Sequence, residues 1–62
     1  MPIIGNNVYI GAGARILGPI EIGDNCLIAP NAVVIDSVKS NTIVGGVPAK
    51  VLKEGIQIKD YV

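Results

Sequence analysis

Aliphatic residues recur every sixth position along the first half of the chain: Ile4, Ile10, Ile16, Ile22, Ile28 and Val34. Four positions after each stand Val8, Ala14, Ile20, Cys26, Ala32 and Val38, all small or aliphatic. The two sets bracket single residues, as in Ala14-Arg15-Ile16 and Ile20-Glu21-Ile22. That in-out-in alternation marks a short strand with one buried face. Between the triplets lie Gly5-Asn6-Asn7, Gly11-Ala12-Gly13, Gly18-Pro19, Gly23-Asp24-Asn25 and Pro30-Asn31. Gly and Asn tolerate the left-handed backbone of a sharp corner, and Pro presets one turn angle. Strands this short do not persist alone, so the unit must stack on copies of itself.

A second period of eighteen sets the stacking. Gly5-Asn6-Asn7 falls over Gly23-Asp24-Asn25, Ile10 over Ile28, Ala14 over Ala32, Ile16 over Val34 and Ile20 over Val38. Glu21 and Lys39 share that register and are expected to pair. Three hexads thus make one turn of a triangular prism, a parallel β-helix whose coils stack at about 4.8 Å. Residues 4–21 and 22–39 read as two coils, and 40–52 as part of a third. The pattern weakens after Val38, and Thr42-Ile43-Val44-Gly45 resumes the triplet two residues early. We therefore divide the chain into β-helix coils over 1–44 and a turn, cap and tail over 45–62, with 49–54 as the cap. The repeat is already running at Ile4, as expected for the C-terminal end of a longer solenoid.

Composition fits a narrow aliphatic interior. The 62 residues include 22 Ile, Leu and Val but no Phe, Trp or His. Five basic and five acidic residues cancel, which removes the electrostatic case for nucleic acid. Absence of His removes imidazole base catalysis and most zinc sites, and no metal is expected. Cys26 is the single cysteine and occupies an inward position, as a small core residue would. No apolar run approaches the about 20 residues of a membrane helix, and no signal peptide is evident, so a cytoplasmic location is expected.

The hexads, the stretch Ile10-Gly11-Ala12-Gly13-Ala14-Arg15-Ile16-Leu17-Gly18 and the later Gly45-Gly46-Val47-Pro48-Ala49-Lys50-Val51 resemble the hexapeptide-repeat acyltransferases. The likeness covers residues 2–52 and is strongest to the C-terminal part of serine O-acetyltransferases, a step ahead of sugar O-acetyltransferases of the maltose and galactoside type. It implies an all-β, single-stranded, left-handed parallel β-helix of about three coils plus a cap. It also implies a homotrimer with acetyl-CoA as co-substrate in a groove between subunits, and a serine or sugar hydroxyl as acceptor. The family's catalytic His directly precedes the position of Pro2, where this chain has Met1. No catalytic residue is therefore assigned, and the chain by itself is expected to be inactive.

By the same resemblance, Gly11-Ala12 is the corner where family backbone meets the pantetheine arm. Pro30 occupies the equivalent corner of the next coil and lacks the N–H that an amide contact would need. Ile35 lies near the end of that groove, and Lys50 matches the basic residue placed to meet a CoA phosphate, with Lys53 a weaker candidate. The outward residues Tyr9 and Leu27 stack on one face, and Arg15, Leu17, Val33 and Ile35 cluster on another. Exposed aliphatic patches mark partner surfaces. The alternative to an acetyltransferase segment is a non-catalytic, self-associating β-solenoid module. A zinc-dependent hexapeptide-fold carbonic anhydrase is excluded by the missing His.

Overall fold

The computed structural model describes residues 2–61. Two-residue strands stand where the triplets place them: β1 (Ile3–Ile4), β2 (Tyr9–Ile10), β3 (Arg15–Ile16), β4 (Glu21–Ile22), β5 (Leu27–Ile28) and β6 (Val33–Val34). Each pairs in parallel with the strand one coil away. Ile3 faces Glu21, Tyr9 faces Leu27 and Arg15 faces Val33, an offset of eighteen on all three sides of the prism. The backbone bonds follow suit: Tyr9 N–H donates to Cys26 O at 2.9 Å and Arg15 N–H to Ala32 O at 2.8 Å.

Between the second and third coils the offset falls to sixteen. Leu27 faces Ile43 and Ile28 faces Val44 in β7 (Thr42–Gly45), and Val38 bridges to Ile22. Two expected pairs are thereby overturned. Val38 stacks on Ile22 rather than Ile20, and Lys39 meets Glu54 at 3.0 Å rather than Glu21. The cause is local: the corner from Val34 to Val38 is two residues shorter than that from Ile16 to Ile22. Two hydroxyls fill in as acceptors where the shortened coil runs past its neighbour. Ser37 Oγ accepts from Glu21 N–H at 3.0 Å, and Ser40 Oγ from Asp24 N–H at 2.9 Å.

One corner column shows the register directly. Asn7, Asn25 and Asn41 are all left-handed, with φ of 58°, 58° and 59°. Asn is among the few residues that tolerate this region, because its short amide bonds locally. Asn7 Nδ2 donates to Asn25 Oδ1 at 3.3 Å, which joins the first two side chains of the column.

The interior is a single aliphatic file. Ile20, Ile22, Cys26, Ile28, Ala32, Val34, Val38 and Val44 form one buried cluster. Cys26 is fully buried and its Sγ donates to Lys39 O at 3.2 Å, the environment of a core residue. Thr42 lies directly beneath it in the column, fully buried, with Oγ1 donating to Ser40 O at 3.1 Å. Equivalent positions differ along the axis. Ile28 is fully buried, whereas Ile10, its counterpart in the first coil, is 43% exposed.

At the lower end, the segment expected as a cap over 49–54 runs along the outer edge of one face. It forms β8 (Lys50–Glu54), antiparallel to β7, with Thr42 facing Glu54 and Gly45 facing Lys50. The register slips between Ile43–Lys53 and Val44–Val51, leaving Leu52 as the extra residue of a bulge. Bulges and lysines on an outermost strand discourage further strand addition. Past Gly55 the tail ends in a 3-10 turn, η1 (Ile58–Asp60). Among the described residues no helix is long and apolar enough to cross a membrane.

Candidate functional site

Two equivalent corners lead into β3 and β6, each closed by the same turn: Ala14 N–H donates to Gly11 O and Ala32 N–H to Ala29 O, both at 3.2 Å. Asn31 N–H donates to Ala12 O at 2.9 Å and ties one corner to the other. Gly11 is buried in this stack. A Cβ on Gly11 would stand 2.5 Å from Pro30 N and 2.8 Å from Pro30 Cα, so the missing side chain is what lets the coils approach. Ala12 and Pro30 are exposed. Of the Gly11-Ala12 pair, only Ala12 presents an open surface to a ligand.

Ile35 follows β6 at the opposite edge of the same face. It lies one coil below Leu17, and the two are 49% and 51% exposed. Between the edges, Arg15 faces Val33 on β3 and β6. The foot of the face is the Gly46–Ala49 turn. Val33 N–H donates to Gly46 O at 3.0 Å and Ala49 N–H donates to Val33 O at 2.8 Å. These bonds seat the turn beneath β6 and place exposed Lys50 immediately after it. A cavity of about 350 Å³ opens at the lower end of the prism, between the inward Val34, Val38 and Val44, the 36–39 corner and residues 49–51.

Residues 10–18 and the 46–49 turn thus share the β3–β6 side of the prism, bridged by Val33. Ala12 and Pro30 form its leading edge and Ile35 its trailing edge, while Lys50 lies just past its foot, opposite Gly45 on the adjoining sheet. Lys53 is not drawn in; its Nζ donates to Tyr61 OH at 3.5 Å. Arg15 was not singled out for binding, yet it is the exposed cation on the face itself. Its signal was the outward parity of the Ala14-Arg15-Ile16 triplet. Met1, at the position of the family His, lies outside the described residues. Among the described residues no group of three His, Cys, Asp or Glu could hold a metal ion.

Residues 1–36 match the family model described as bacterial transferase hexapeptide (six repeats). Serine acetyltransferase of Mycobacterium tuberculosis is 49% identical over 51 residues, covering 82% of this chain and 22% of that protein. The crystal structure of Neisseria gonorrhoeae serine acetyltransferase superposes with a TM-score of 0.86 at 45% identity, over 90% of this chain and 22% of its own. A galactoside acetyltransferase in complex with coenzyme A superposes with a TM-score of 0.86 at 37% identity, over 95% and 29%. The chain therefore spans about a quarter of the length of such relatives. The β-helix is the left-handed form shared by these neighbours. With its hexads, register and corners all in place, the chain belongs to the bacterial transferase hexapeptide family.

Proposed function

We propose that this chain supplies the cofactor-binding end of an acetyl-CoA-dependent O-acetyltransferase, with serine as the favoured acceptor. The observation that supports it is the convergence of residues 10–18 and the 46–49 turn on one face. The serine acetyltransferases among the relatives favour serine. The galactoside acetyltransferase neighbour keeps a sugar hydroxyl as the second reading. A serine acetyltransferase would work in cysteine biosynthesis, in the cytoplasm.

The residues fit coenzyme A in part. Ala12 is small and exposed, so an extended pantetheine arm can approach the backbone there. Ile35 offers an apolar contact at the far edge. Lys50 brings an exposed ammonium just past the foot, and a phosphate is the anion it would pair with. Pro30 does not fit: it carries no N–H for the arm's amide carbonyl. Bound acetyl-CoA would supply the thioester acyl group. Removing the proton from the acceptor hydroxyl needs a base poised near neutral pH, and none of these 62 residues is a His. The chain's own part is to hold and orient.

Calorimetric titration with coenzyme A tests this reading. Lys50→Gln should weaken binding by up to about fivefold, the worth of an exposed ion pair. Pro30→Ala should strengthen it by about two- to tenfold, since a net hydrogen bond contributes about 0.5–1.5 kcal/mol. Identical isotherms for parent and both variants would remove the site from this face. The unmodified chain should bind coenzyme A without releasing it from acetyl-CoA when serine is added.

We further propose a homotrimer built on the outward apolar column of Leu17 and Ile35. Leu17→Asp or Ile35→Asp should lower the mass measured by light scattering to that of a monomer, because each buries a carboxylate against its copies. An unchanged mass in both variants would place the interface elsewhere.

A further inference from the structure

Ile56 is buried to 4% exposure, yet it lies outside the axial cluster. Its burial therefore comes from packing on the outside of the prism. Its N–H donates to Asn41 O at 3.0 Å, which seats it beside the third coil. Two residues on, half-buried Ile58 and exposed Lys59 reach the first coil, where they and Asn7, Val8 and Tyr9 line a groove of about 390 Å³. The tail thus runs back up the prism, across two coil spacings. Beside it lies the outward column Tyr9, Leu27 and Ile43, set by the parallel register of β2, β5 and β7. Leu27 and Ile43 are half-buried although they point away from the core. No charge interrupts the column before Lys53.

This tail is lightly held. Among the described residues, one backbone hydrogen bond joins 56–61 to the coils, the one at Ile56. The others, Asp60 N–H to Gln57 O and Tyr61 N–H to Ile58 O, are internal to the turn. The segment pivots at Gly55, whose φ of +68° is a left-handed conformation with nothing near its missing Cβ. A short apolar segment on a glycine hinge, seated in a site of the same chain, has the geometry that permits exchange between copies.

We propose that residues 55–61 are an exchangeable strap, and that the Tyr9–Leu27–Ile43 face accepts the same segment from a second copy. The occupant follows from what already lies there: a strap that fits in cis makes identical contacts in trans. Ile56 is the anchor, Ile58 the second contact and the groove at Asn7–Tyr9 the far end. Ala12 and Ile35 lie off this face and Lys50 only at its lower corner, opposite Gly45, so coenzyme A titration of the strap variant separates failure of this proposal from failure of the coenzyme A reading.

The experiment uses the full chain with Ile56→Asp and Ile58→Asp, which disarms its own strap, and a fluorescein-labelled peptide of residues 55–61. Anisotropy should report saturable binding to this variant. Binding to the parent chain should be about tenfold weaker or less, because the tethered strap competes at a high effective concentration. Tyr9→Lys in the acceptor, or Ile56→Asp in the peptide, should abolish it. A variant that keeps its far-UV β spectrum but binds no peptide overturns the proposal. So does equal binding of the Ile56→Asp peptide. Loss of the β spectrum on disarming the strap also overturns it, since the segment would then be part of the fold rather than exchangeable.

Discussion

Ile28→Ala should leave this chain largely unfolded. Ile28 is fully buried in the middle of the β2–β5–β7 column, with a coil on either side. Truncating such an isoleucine costs about 2–5 kcal/mol, the transfer of the lost methyl groups plus the cavity left behind. A domain of this length has only about 3–9 kcal/mol to lose. The cavity term should be near its upper range, because neighbouring strands are fixed by parallel ladders and cannot collapse inward. The informative control is Ile10→Ala. It removes the same atoms from the same column one coil higher, where the side chain is 43% exposed. There the cost should be about 1 kcal/mol or less. Urea titrations followed by circular dichroism measure both, and equal losses would show that the burial gradient along the axis does not govern stability.

Gly11→Ala should be the second most damaging exchange, and it separates architecture from binding. The new Cβ would lie 2.5 Å from Pro30 N and 2.8 Å from Pro30 Cα. Both are backbone atoms of the coil below, so no rotamer change relieves the clash. Overpacking of this kind costs about 1–3 kcal/mol, and more where backbone must shift. Pro30→Ala should not rescue it, because the obstructing N and Cα remain. A lowered melting temperature with no coenzyme present is the expected result, whereas Ala12→Val should leave the melting temperature nearly unchanged and act on coenzyme A affinity. If Gly11→Ala melted like the parent and lost only coenzyme A, the stacking account of this glycine would be wrong.

The contrast shows how far sequence reasoning reaches here. Inward and outward positions follow from period two within each triplet, and the first two coils from period eighteen, because stacked copies repeat their side chains. The sixteen-residue step showed in the sequence as the early return of Thr42-Ile43-Val44, but the corner that loses the two residues did not. Val38 is aliphatic, so it satisfies the pattern whether it lies over Ile20 or Ile22. Its signals were Ser37 and Ser40, polar residues that read as loop until their hydroxyls are seen accepting neighbouring backbone N–H groups. The Glu21–Lys39 pairing failed for the same reason. Gly11 was legible as small, but whether small for a ligand or for Pro30 depends on a contact between coils. Ile56 escaped altogether: in a weakly alternating tail, nothing local distinguishes an isoleucine bound to the outside of a prism from one in solvent. At the face bounded by Ala12, Ile35 and Lys50, the residue types were readable, but their meeting required the turn at 46–49 to fold beneath Val33.

The shortened corner also determines where such a chain can change length. Two residues added between Ile35 and Ser37 would restore an eighteen-residue coil and leave every inward side chain inward, at the cost of the two serine contacts. One residue added there would hand the third coil the opposite parity, turning Val44 and Thr42 to solvent and Ile43 into the core. Insertions at this corner should therefore be tolerated in pairs and rejected singly, an ordering that the melting temperatures of the two variants would read.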